Sequence, residues 1–221
     1  MGVKWVMYWQ PLVGTVTSSQ NFVDLVRAAE SIQSVRIGRW NATCATYRPV
    51  IRDAPSSAAE VSAAKELFGA SFSELPRKYF FVLRQEFIVV EAATSIQAVM
   101  ERIQLYLNRL SVSFEGVCFQ VGDFLVKIGK AIQSQNEVLR GVMIELEYIP
   151  TTSLEQSGPL LSEFLAIWQD LASNMSQPGR LVLVEPQYAD FGLSDTYSPQ
   201  HMALQYVLLC VHFLGSMRTV M

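Results

Sequence analysis

Apolar and polar positions alternate at two different periods along this chain. Aromatic and β-branched residues crowd into 3–9 (VKWVMYW), which predicts a first strand. After a Gly/Thr/Ser loop, Phe22, Leu25, Val26, Ala29 and Ile32 recur at helical spacing, with Ser18 as the candidate cap. Residues 35–51 predict one or two strands ending in Thr46-Tyr47-Arg48-Pro49-Val50-Ile51, and the Ser/Ala-rich stretch 53–74 predicts a mobile loop carrying a short helix. Tyr79–Arg84 and Phe87–Glu91 are apolar on both faces around a polar break at Gln85-Glu86. They predict a β-hairpin whose faces must each be covered by a helix or a partner. Thr94 and Gln97 form a capping box for a helix with the stripe Ile96, Val99, Met100, Ile103, Leu107 and Leu110.

The second half is more regular. Phe124, Val126 and Ile128 alternate with Leu125, Lys127 and Gly129. Val142, Ile144, Leu146 and Tyr148 oppose Met143, Glu145 and Glu147 with strict period two, which predicts a strand with one dry and one wet face in an antiparallel sheet. Pro159 opens a helix carrying Leu160, Leu161, Phe164, Leu165, Trp168 and Leu171, which stops before Pro178-Gly179. Residues 180–188 read as extended and 190–197 as a loop. Ser198-Pro199 then caps a last helix that is apolar nearly all round. Hairpins with helices inserted between them, rather than regular strand–helix alternation, predict an α+β fold: a curved antiparallel β-barrel flanked by helices. The organisation expected is a single domain over 1–221 with mobile loops at 53–75 and 175–197.

Composition narrows the function. Of 221 residues half are apolar and 17% charged, enough to build a core, and the net charge of −3 lacks the basic excess of a nucleic-acid binder. Cys44, Cys118 and Cys210 lie far apart with no C-x-x-C pair, so a disulfide framework or structural zinc is not expected. The N-terminus has no secretory pattern, and the apolar run Met202–Leu214 falls short of the roughly twenty residues that span a bilayer.

Candidate chemistry is sparse. Gly129-Lys130 lacks the remainder of a phosphate loop, with Phe124 and Ala131 at the positions that matter. His201 and His212 share one side of the last helix but stand about 16 Å apart along it, too far to hold one metal; with Gln205 they read as a hydrogen-bonded or solvent-facing edge. Glu145 and Glu147, two apart on one strand face, read as that strand's wet side. Lys127 and Lys130 fall on opposite faces. An alternative function, a metal-dependent phosphate- or nucleotide-binding barrel enzyme, requires Lys127, Glu145 and Glu147 to converge inside the barrel.

Several motifs resemble one family. Gly122-Asp123-Phe124-Leu125-Val126-Lys127-Ile128-Gly129, then Arg140-Gly141-Val142 running into Glu145-Leu146-Glu147-Tyr148, is similar to subunit 20 of the Mediator complex, the TATA-binding-protein-related Mediator subunit. Met1-Gly2-Val3, Thr46-Tyr47-Arg48, Leu160-Leu161-Ser162-Glu163-Phe164-Leu165 and Gln205-Tyr206-Val207 follow in the family's order. The resemblance implies a non-enzymatic, nuclear subunit of the Mediator head module with no catalytic, cofactor or metal residues. It implies a heterodimer with subunit 18, attachment through the C-terminal region of subunit 8, and an indirect link to the RNA polymerase II machinery as a coactivator component. Neither membrane nor direct nucleic-acid binding is expected. Surplus apolar surface points to Tyr79, Phe81, Phe87 and Tyr206 as partner-binding residues, because interfaces favour aromatic side chains.

Overall fold

The computed structural model describes residues 1–12, 19–50, 66–173 and 179–215, and among these residues it has nine strands in one antiparallel sheet and four α-helices. In chain order they are β1 (Val3–Pro11), α1 (Ser19–Ser31), β2 (Val35–Pro49), β3 (Leu67–Phe72), β4 (Lys78–Leu83), β5 (Ile88–Ala93), α2 (Ile96–Ile103), β6 (Tyr106–Val121), β7 (Phe124–Gln133), β8 (Val138–Tyr148), α3 (Leu154–Ser173), β9 (Gly179–Leu183) and α4 (Pro199–Gly215). All strands join one sheet in the order β5-β4-β3-β2-β6-β7-β8-β1-β9.

The α+β class and the antiparallel sheet agree with the sequence reading; the barrel does not. Among the described residues β5 and β9 end the order without pairing to each other, so the sheet is not closed. It curls instead around α4, which touches β1 and β8 toward one end and β2, β3, β4 and β5 toward the other. A helix apolar nearly all round is thereby accounted for: Met202, Ala203, Leu204, Tyr206, Val207, Leu209, Cys210 and Phe213 are all buried. Complete burial of each large aliphatic among them is worth roughly 1.5–3 kcal/mol. The opposite face of the sheet carries Met7, Val126, Ile128, Ile144 and Leu146 and is covered by α1 and α3, with Phe124 stacked on Phe164 at 4.2 Å.

Local differences have identifiable causes. Residues 35–49 form one long strand, kept continuous past irregularities at Arg36/Gly38 and Thr46/Tyr47. Residues 67–72, expected within a mobile loop, are the buried strand β3, whose apolar LFGASF fills the gap between β2 and β4; the short helix placed at 53–74 falls largely on 51–65, outside the described residues. Within the second expected loop, 179–183 is edge strand β9 and 188–191 a 3-10 turn, while the Ser18 cap lies outside the described residues. The capping box at Thr94 does not form: Ser95 holds the cap position without a side-chain bond, and Leu107 and Leu110 belong to β6 rather than the helix. α3 starts at Leu154, not Pro159. Ser153 Oγ accepts from the Gln156 N–H at 3.3 Å, an S-x-x-Q signal upstream of the proline.

One close approach under α4 sits at Gly129 of β7. A Cβ there would lie 2.6 Å from Trp40 Cζ2 and 3.2 Å from the Glu115 carbonyl oxygen. Gly129→Ala should therefore lose about 1–3 kcal/mol through overpacking, although Ala is the better strand former. A urea midpoint unchanged from wild type would show that Trp40 yields freely.

Candidate functional site

Period two places Glu145 and Glu147 on the same face of β8 as Met143, and that face looks into the concave side under α4. The expected wet face is dry: Glu145 is 1% and Glu147 5% exposed. Register explains how two carboxylates survive there. Lys127 of β7 stands directly opposite Glu145, and Lys4 of β1 directly opposite Glu147, so a lysine flanks the pair from either neighbouring strand. Glu74, just beyond β3, completes the group from the far side of the curl.

The distances describe a closed ion network. Lys4 Nζ lies 2.5 Å from Glu74 Oε1, 3.1 Å from Glu145 Oε1 and 3.3 Å from Glu147 Oε2. Lys127 Nζ lies 2.7 Å from Glu74 Oε2 and 2.8 Å from Glu145 Oε1, and sits 5.7 Å from the Trp40 ring centroid. The Tyr206 hydroxyl donates to Glu145 Oε2 at 2.6 Å, and the Gly2 N–H to Glu147 Oε1 at 2.6 Å. Burial alone would raise the Glu145 carboxyl; the Lys127 and Lys4 ammoniums and the Tyr206 hydrogen bond outweigh it and hold its pKa down to about 2. Burial opposes charge on Lys4 and Lys127 as well, but their carboxylate neighbours raise both pKa values above the ordinary lysine value.

This arrangement bears directly on the enzyme alternative. The convergence it required is present, and Glu74, Glu145 and Glu147 come within 4.8 Å of one another. Yet every one of these carboxylates is already ion-paired to lysine within the chain. Two ammoniums offset two of the three negative charges, and the Tyr206 hydroxyl and Gly2 N–H donate to the carboxylates as well; a cation would have to compete with ammoniums held at hydrogen-bonding distance.

The other candidates fall elsewhere. His201 Nε2 donates to the Ser194 carbonyl at 2.9 Å, which leaves Nδ1 to accept from the Ser198 hydroxyl at 2.8 Å and its N–H at 3.2 Å; the ring caps the start of α4. Gln205 is held between the Tyr197 hydroxyl and the Lys4 carbonyl, and His212 stacks on Tyr8 at 3.8 Å. Lys130 lies on the opposite face from Lys127, over the Phe22 ring. The three cysteines are free and buried.

Of the four aromatic residues expected to meet a partner, Tyr206 belongs to the core under α4, edge-on to Phe72 and Phe114. Tyr79 and Phe81 form a small second cluster with Leu67 on the convex face, partly covered by Ile96 and Met100 of α2. Phe87 alone of the four is open, 51% exposed, at the left-handed residue (φ 55°) that links β4 to β5 through a 3-10 turn. Ile88 and Val90, next along edge strand β5, are exposed too, as are Val99 and Ile103 of α2. Lys4 and Glu74 escaped the sequence reading. The usable signal for Lys4 was a lone cation in an otherwise apolar strand; Glu74 gave none.

Replacing Glu145 by Gln keeps its shape but removes the fully buried carboxylate that both ammoniums share, leaving Lys127 only the half-buried Glu74, and should cost about 3–5 kcal/mol in a urea unfolding series at pH 7. The pH dependence has a definite sign. Because the folded pKa of Glu145 lies below the ordinary 4.5, its contribution is complete above pH 4.5 and is lost as pH falls toward about 2. Wild type should lose stability faster than Glu145→Gln over that acid range; equal slopes would show that the carboxyl is not held ionised.

Comparison with known proteins agrees with the motif resemblance. A family model described as the TATA-binding related factor of subunit 20 of the Mediator complex matches residues 1–210. Mediator of RNA polymerase II transcription subunit 20b from Arabidopsis thaliana is 40% identical over 218 residues, covering 99% of this chain and 98% of that protein. Mediator of RNA polymerase II transcription subunit 20 from Aedes aegypti is 28% identical over 165 residues, 72% of this chain and 70% of that protein. Among solved structures, a chain of the Schizosaccharomyces pombe Mediator head module is 14% identical and aligns over 81% of this chain and 98% of its own, with a TM-score of 0.45. The match across residues 1–210 and the 40% identity over nearly the full length show that this chain belongs to the Mediator subunit 20 family, the non-enzymatic components of a transcription-regulatory complex.

Proposed function

We propose that the protein serves in the nucleus as a subunit of the Mediator head module. In this reading it pairs with Mediator subunit 18 as a heterodimer and is joined through the C-terminal region of subunit 8 to the remaining head. It acts as a coactivator component for RNA polymerase II transcription, and its contact with the polymerase machinery is indirect. Family membership supports the Mediator role, and the motif resemblance supports the choice of partners.

One observation carries the surface assignment. The hairpin end of β5 presents Phe87, Ile88 and Val90 at 51%, 42% and 44% exposure, and α2, which follows β5, exposes Val99 and Ile103 at 43% and 48%. Monomers rarely leave contiguous apolar patches open, and the backbone of β5 is an unpaired sheet edge. Phe87 holds a left-handed conformation that is uncommon for a bulky residue and puts its ring outward, edge-on to Phe191 at 5.4 Å. Tyr79 and Phe81 act from beneath, supporting Ala92 and the packed side of α2. Tyr206 contributes through the core alone.

Co-expression with subunit 18 of the same organism, followed by light scattering, tests both levels. A one-to-one complex is expected, and Phe87→Glu with Val90→Glu should weaken it about tenfold or more while the melting temperature of the lone chain holds. A wild-type chain that ignores subunit 18 overturns the heterodimer; a double variant that binds as wild type does moves the interface away from β5.

A further inference from the structure

The first five residues of β2 form a second open edge of different chemistry. β6 pairs with the whole of β2, but β3 pairs with it only over Ala42–Tyr47. Asn41 and Ser73 make the last contact as the chain turns away, with the Ser73 N–H donating to the Asn41 carbonyl at 3.1 Å. From Val35 to Arg39 the side of the strand away from β6 has no backbone partner among the described residues, and all five residues are exposed.

A bulge sets the side-chain pattern. In a regular strand Arg36 and Arg39 would point to opposite faces. Here the register steps from Arg36↔Phe119 to Gly38↔Cys118 and Arg39↔Val117, so Ile37 is the extra residue and Arg39 returns to the face of Arg36. The two guanidiniums stand opposite residues two apart on β6, about 7 Å of strand. Neither has an acidic partner among the described residues, whereas Arg48 and Lys78 are paired with Glu66 and Glu91. On the other face Val35 is 65% exposed, and a Cβ at Gly38 would meet no atom within 4 Å, so the strand has open space above it there.

Charges and bulges on an edge discourage indiscriminate strand pairing, and the same features define which strand fits. We propose that residues 35–39 are a docking edge for an extended acidic segment of a protein, added as a strand alongside β2. Carboxylates at alternate positions of that segment meet Arg36 and Arg39, and the aliphatic side chain between them lies over Gly38 beside Val35. Two cations at strand spacing match alternate acidic residues, and the free backbone groups supply the ladder hydrogen bonds. This edge is separate from β5 and does not depend on the partner proposed for that surface.

The probe is a fluorescent peptide of about eight residues alternating Glu and Val, titrated by anisotropy into the full chain at low salt. Binding is expected, with about tenfold loss in Arg36→Glu/Arg39→Glu, slowed amide exchange confined to 35–40, and no binding of the matching Lys/Val peptide. Arg36→Gln/Arg39→Gln carries the same test if charge reversal disturbs folding. The proposal is overturned if the Glu/Val peptide does not bind, if the variants bind it as wild type does, or if a single-stranded oligonucleotide binds more tightly through the same arginines.

Discussion

Burying charge under α4 is the constraint on which the rest of the architecture depends. Lys4, Lys127, Glu145 and Glu147 are nearly sealed from water, and an unpaired ion in such surroundings costs several kcal/mol. They are tolerable only together, at the separations of about 3 Å that β1, β7 and β8 impose through their pairing. A slip of one residue in either β-ladder would turn a lysine to the opposite face and strand a carboxylate, so the cluster works against every alternative register. Tyr206 and Gln205 tie the same group to α4 through Glu145 Oε2 and the Lys4 carbonyl.

Glu74 gives the network a second consequence. Among the described residues the sheet does not close by backbone hydrogen bonds, and β5 and β9 are its edges. Yet Glu74, just past β3, reaches both Lys4 on β1 and Lys127 on β7, strands that stand well along the sheet order from β3. Side-chain charge therefore bridges a gap that the backbone leaves open, and it does so around a helix rather than around water. Tyr206 sits at the centre of this arrangement, touching aromatic rings from β2, β3 and β6 while its hydroxyl meets Glu145.

Most elements could be read from periodicity, because β1, the β4–β5 hairpin, β7, β8 and the last helix carry strong local patterns. The failures share a cause: tertiary cover that a pattern does not reveal. Met143, Glu145 and Glu147 alternate with apolar residues as a solvated face would, and only the lysines brought opposite by two other strands make that face an interior. The Lys127–Glu145 pairing was hidden further by an irregularity at Ala131/Ile132, which shifts the hairpin register by one. β3 was masked by its small residues, Gly69, Ala70 and Ser71, which read as loop but suit a strand lying beneath a helix. For the last helix, all-round apolarity fits both a buried helix and surplus surface, and burial within the curled sheet is what the structure has.

Once the interior is filled in this way, the surfaces proposed for recognition are those on the rim of the sheet. Helices pack against the central strands β7, β8 and β1, whose middle residues are largely buried. The margins differ in kind. β9 is short, only Gly179–Leu183. β5 is open and apolar, with a strained aromatic at its start. The first part of β2 is open and cationic, with a bulge that aligns its two arginines. A partner attracted to one of these margins is poorly suited to the other, since desolvating Arg36 and Arg39 against an apolar surface is as unfavourable as setting a carboxylate against Phe87 and Val90. Under the two docking proposals, edges of opposite character on one sheet would keep two different neighbours from being confused.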